Sequence, residues 1–129
     1  MRIDAYFQWI RDIIEACPVV QSSSVSFDKR STYEGHVRAE LYFMDGSVLH
    51  VREYLDVETT VDRLMVVYQY VDPAGGLVFR YDNTGHHKKL SPATYPHHKH
   101  EGSHQNVLDS PAPNLANVLS EIEDRARIE

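Results

Sequence analysis

The sequence has a single cysteine, Cys17, so it can form neither an internal disulfide nor a cysteine-rich zinc site, which fits a reducing, cytoplasmic setting. No stretch approaches the run of about 20 apolar residues that a membrane helix needs, so no membrane association is expected. The N-terminal segment MRIDAYFQWIRDIIEACP carries Asp4, Arg11, Asp12 and Glu15 through its apolar stripe, unlike the core of a secretory signal. Six glycines and six prolines in 129 residues exclude a collagen-like repeat. Basic residues are also in short supply: 13 Lys+Arg against 19 Asp+Glu give a formal net charge of −6. That is the wrong sign for a protein that coats nucleic acid over its whole surface.

What is present suits one compact domain spanning residues 1–129, with 42% hydrophobic and 25% charged residues. Tyr6, Ile10, Ile13, Ile14 and Cys17 recur at spacings of three and four, which predicts an amphipathic helix over 4–17, with Asp4 as its N-cap and Pro18 as its stop. From 19 to 83 the period turns to two. In HVRAELYF, Val37, Ala39, Leu41 and Phe43 share one face, and His36, Arg38, Glu40 and Tyr42 share the other. After the hairpin signal Asp45-Gly46, Leu49, Val51, Glu53 and Leu55 alternate with Val48, His50, Arg52 and Tyr54. LMVVYQYV (64–71) is apolar on both faces and reads as a central strand, and Pro73-Ala74-Gly75-Gly76 turns the chain into LVFRYD. Residues 84–110 lose periodicity, and a last helix is expected over 111–127, started by Ser110-Pro111 or by Asn114. The fold class is α+β: a four- to five-stranded antiparallel meander with an N-terminal and a C-terminal helix, and a His-rich irregular segment at 84–110.

Six of the eight histidines fall between residues 80 and 104, and that stretch is net +2 in a chain whose remainder is −8. A local basic island in an acidic body steers an anion to one place. Arg80 and Asp82 share a strand face, and Glu40, His50, Arg52 and Tyr54 gather on the same side of neighbouring strands. An Arg, an Asp and histidines are what metal-independent phosphodiester cleavage uses. Arg80 clamps the phosphate, Asp82 orients an imidazole, and His86, His98 or His100 serve as general base and acid. Tyr70, Lys88 and Lys99 are the accompanying substrate contacts. The bland alternative makes Arg80 and Asp82 a surface pair at a strand end.

The His98-Lys99-His100 spacing also suits a divalent metal such as zinc, completed by Asp82 or His104, although neither an HExxH nor a CxxC pattern is present. No cofactor is otherwise expected. The alternative to a metal is a solvated His-rich loop. The aromatics Tyr6, Phe7, Trp9, Tyr68, Tyr70 and Tyr81 read as core before they read as base-stacking platforms, and Cys17 as inert packing. An edge strand near Val25 to Lys29 leaves a homodimer open.

The run YQYVDPAGGLVFRYDNTGHH followed by PHHKH resembles the TumE-like family of small prokaryotic toxins of toxin–antitoxin systems. The resemblance rests on Tyr68, Tyr70, Arg80, Tyr81, Asp82, Asn83, His86, His87, Pro96, His97, His98, Lys99 and His100. Gly85 stands where the family pattern has proline. The family layout, a meander before the motif and a helix after it, covers nearly the whole chain. The resemblance implies a toxin held by an antitoxin protein; joined to the Arg/Asp/His chemistry, it gives an expected endoribonuclease acting on RNA in the cytoplasm. Two other readings follow from the same residues. One is metal-dependent phosphoryl or nucleotidyl chemistry at the His cluster. The other is a non-catalytic module that folds onto a partner protein, which the net charge of −6 favours.

Overall fold

The computed structural model describes residues 1–83, 98–102, 107–109 and 113–128, with 98, 107–109 and 128 described by their backbone alone. The expected site residues His86, Lys88 and His104 lie outside the described residues. The element order is α1 (Ile3–Glu15), β1 (Val20–Lys29), β2 (Glu34–Phe43), β3 (Val48–Asp56), β4 (Asp62–Val71), β5 (Leu77–Asp82), β6 (His98–Glu101), β7 (Val107–Asp109) and α2 (Leu115–Ile128). The strands form one antiparallel sheet in the order β1-β2-β3-β4-β5-β6-β7, so each pairs with its sequence neighbour.

The architecture is α+β, and the meander is longer than expected, with seven described strands in place of four or five. β6 and β7 lie inside the 84–110 segment that reads as irregular. His98-Lys99-His100-Glu101 is polar at every position, so alternation leaves no apolar face to detect; pairing with β5 defines the strand. LMVVYQYV lies in β4, the middle strand, as its two-sided apolar pattern predicts.

Both helices cover one face of the sheet. Ile3, Tyr6, Phe7, Ile10 and Ile14 of α1 join Leu115, Val118, Leu119 and Ile122 of α2 in one core with Leu41, Leu49, Val51, Tyr68 and Phe79. The opposite face, carrying Arg38, Glu40, His50, Arg52, Gln69 and Arg80, meets neither helix. α1 begins one residue before the expected start, and Asp4 is not its N-cap. Thr32 in the β1–β2 connection accepts from the Ile3 amide at 2.8 Å, which satisfies a free helix-end donor without a side chain. Asp4 instead sits in the first turn and pairs with Lys29 at 3.0 Å. α2 starts at the later of the two expected points: the Asn114 side chain accepts from the Asn117 amide at 2.9 Å, and Asn117 returns the bond at 3.0 Å. Cys17 is buried at the end of the α1 stripe, and burial raises its thiol pKa.

Two turns rest on glycines. Gly46 (φ 91°) follows Asp45, whose carboxylate accepts from the Ser47 amide at 2.9 Å. Gly75 (φ 88°) closes the β4–β5 hairpin, where Asp72 accepts from the amides of Ala74 and Gly76 at 2.9 and 2.8 Å.

Candidate active site

The hairpin at Asp72–Gly76 sets the register that builds the site. Gln69 on β4 lies opposite Arg80 on β5, and Arg80 lies opposite His100 on β6. All three therefore project to the helix-free face. One residue pair further along, Val67, Asp82 and His98 form the next cross-strand row.

Asp82 is the centre of the cluster. Its side chain is only 2% exposed, and Oδ2 accepts from Arg80 Nε at 2.8 Å while His100 Nε2 stands 3.4 Å from the same oxygen. A carboxylate taken this far from water needs polar neighbours; Arg80 on its own strand supplies the charge, and His100 on β6 supplies a ring nitrogen. Arg80 is fixed a second time, donating from Nη1 to Gln69 Oε1 at 2.9 Å. Its Nη2 has no protein partner among the described residues. The guanidinium is thus held rigid with one edge remaining for an anion.

Of the expected site residues, the structure brings Arg80, Asp82 and His100 together. The backbone of His98 pairs with Asp82. Tyr70 and Lys99 lie on the other side of the sheet, contrary to the expectation that they attend the same substrate. Tyr70 is buried and shares a 2.7 Å hydrogen bond with Ser47. Lys99 Nζ reaches Glu101 at 2.9 Å and Glu121 at 3.1 Å, over the rings of Phe79 and Tyr81. Partial burial opposes its charge, but bonds with Tyr81, Glu101 and Glu121 outweigh it, so the net pKa shift is upward. The physical reason for both corrections is pleat alternation, which sends Tyr70 and Lys99 to the face opposite their neighbours Gln69 and His100.

Gln69 is the residue that sequence reasoning passes over. The available signal was its position between Tyr68 and Tyr70: if both tyrosines point to the core, the glutamine points out beside Arg80. Asn83 has a local role, accepting from the Val66 amide at 3.0 Å and so tying the end of β5 to β4. As for a metal, Asp82 and His100 come together, while His104 lies outside the described residues. Among the described residues no three His, Cys, Asp or Glu side chains converge as a metal site would require.

A family model described as Toxin TumE matches residues 10–126. The chain belongs to the TumE toxin family. Membership makes it the toxin component of a toxin–antitoxin system, with an antitoxin as its partner. No curated protein and no solved structure matches the chain. Within the matched region, residues divide by face: Arg80 and Asp82 join the cluster on the helix-free face, while Tyr68 bonds to buried Glu53 and Tyr81 donates to Glu121 of α2 at 2.6 Å. No described helix is long and apolar enough to cross a membrane.

Proposed function

We propose that this TumE toxin is a metal-independent endoribonuclease whose reaction centre is Arg80, Asp82 and His100, with His98 or His86 as the second imidazole. The observation that carries the reading is the contact of Arg80 and His100 with one oxygen of buried Asp82. With Asp82 facing Nε2, the favoured neutral tautomer keeps its proton on Nε2 and has Nδ1 as the basic nitrogen. In that role His100 removes the proton of a ribose 2′-hydroxyl, and the 2′-oxygen attacks the adjacent phosphorus. Arg80 neutralises the charge that gathers on the phosphoryl oxygens. The second imidazole protonates the departing 5′-oxygen, so the products are a 2′,3′-cyclic phosphate and a free 5′-hydroxyl.

Incubating the purified protein with RNA in excess EDTA tests this reading. Cleavage is expected to persist in chelator and to leave cyclic-phosphate ends. His100→Gln, which keeps a polar side chain beside Asp82 but removes the base, is expected to lower the rate by about 10²-fold or more. Cleavage lost in EDTA and restored by zinc would instead support metal chemistry at Asp82 and the histidines. No turnover by folded protein would favour the non-catalytic module.

A further inference from the structure

The helix-free face carries a second feature that the Arg80–Asp82–His100 cluster does not use. The β2–β3 register sets Arg38 directly opposite Arg52. Side chains so placed have Cβ atoms about 5 Å apart, and like charges there destabilise the sheet. The neighbouring arginines have carboxylate partners: Arg30 meets Asp28 at 2.9 Å and Arg80 meets Asp82 at 2.8 Å. Arg38 and Arg52 are exposed, and neither forms an ion pair among the described residues. The acid in the next row, Glu40, accepts from the Tyr42 hydroxyl at 2.5 Å and stands 3.9 Å from His50 Nδ1.

The two arginines line both grooves of this face. One, of about 440 Å³, runs toward His36 and Met65; the other, of about 320 Å³, crosses β4 to Gln69 and Arg80. Two strand spacings of about 4.8 Å and an offset of two residues put Arg52 on β3 and Arg80 on β5 roughly 12 Å apart on the sheet. That spacing suits successive phosphates of one strand. In the row beyond Arg38 and Arg52, the rings of His36 and Tyr54 meet at 4.4 Å, both part-exposed. Such flat π surfaces stack on unpaired bases.

We infer that the β2–β3 face is a docking track for single-stranded polynucleotide, in which Arg38 and Arg52 hold backbone phosphates and lead the strand to Arg80. This rests on the ribonuclease reading for its ligand class, but it concerns binding and needs no bond to break. The missing counter-charge of the Arg38–Arg52 pair is then supplied by the ligand.

The test uses a short 2′-O-methyl RNA oligonucleotide, which has no 2′-hydroxyl to cleave, titrated against the full chain at several salt concentrations. Wild type is expected to bind, and Arg38→Gln with Arg52→Gln to bind roughly tenfold or more weakly, with the log–log salt slope reduced by about 1.4. The double variant relieves a like-charge contact, so its melting temperature is expected not to fall. Arg127→Gln, which removes an exposed cation on α2, should bind the probe as wild type does, which separates this track from a general loss of positive charge. Unchanged affinity and slope in the double variant would overturn the inference, as would no binding by wild type. Equal affinity for a fully paired duplex would also overturn it. Loss of binding to an acidic protein partner, with oligonucleotide binding retained, would assign the face to that partner instead. Absence of RNA cleavage by wild type leaves the binding result standing and removes only the ribonuclease reading.

Discussion

Glu53 sits among aliphatic side chains on β3, fully buried, accepting from the Tyr6 hydroxyl at 2.5 Å and from the Tyr68 hydroxyl. Burial raises its carboxyl pKa, and the two tyrosines and the charge of Arg63 offset only part of that rise. A carboxyl raised in the folded state binds more protons there than in the unfolded chain. Its stabilising contribution is therefore complete below the unfolded value of about 4.5 and is lost as pH rises through the folded one. Denaturant titrations should show Glu53→Gln gaining on wild type as pH increases from acid toward neutrality; parallel profiles would contradict this. Glu53→Leu should destabilise by about 2–6 kcal/mol, because two buried hydroxyls lose their acceptor at about 1–3 kcal/mol each. Strand alternation alone puts Glu53 on the aliphatic face. Its tyrosine partners are not legible, because Tyr6 and Tyr68 come from an element 47 residues before it and one 15 residues after it. Asp82 shows the same limit: its shared face with Arg80 follows from period two, but its contact with His100 depends on β6 lying alongside.

At the scale of elements, α1 and β2 meet closely at Gly35. A Cβ on Gly35 would stand 2.6 Å from Phe7 Cζ, 2.9 Å from Ile3 Cγ1 and 3.0 Å from the Asp28 carbonyl oxygen. Gly35→Ala must push the helix off the sheet and is expected to cost about 1–3 kcal/mol, read as a lowered unfolding midpoint. On the same side of the sheet, α2 clasps β6. Glu121 receives Lys99 and Arg125 at 3.1 Å each, and Arg125 reaches Glu101 at 2.9 Å. In Glu121→Gln, amide exchange should rise in β6 and stay unchanged in β2 to β4; uniform exchange throughout would show that the clasp does not hold that strand. The first five strands, both turns and both helices are readable because each has an apolar period or a turn signal. β6 and β7 have neither, and the charged partners that hold β6 become visible only in three dimensions.

Across the whole molecule, the sheet separates two kinds of work: aliphatic and aromatic packing on the helix side, and charged groups on the other. α2 contributes Leu115, Val118, Leu119 and Ile122, each no more than 4% exposed. Burying four such side chains is worth roughly 6–12 kcal/mol, comparable with the entire stability of about 5–15 kcal/mol typical of a domain. A chain ending before Leu115 is therefore expected to show no cooperative thermal transition, and a normal melt would refute that. The strand order carries a further implication, for a cell that must make a poison safely. A meander emerges from the ribosome in the order in which it pairs, and here the His100 strand and the helix that packs on the sheet follow the first five strands. Until β6 and α2 have followed, Asp82 lacks its His100 neighbour and the sheet lacks its second helix, an interval in which an antitoxin can meet the growing chain.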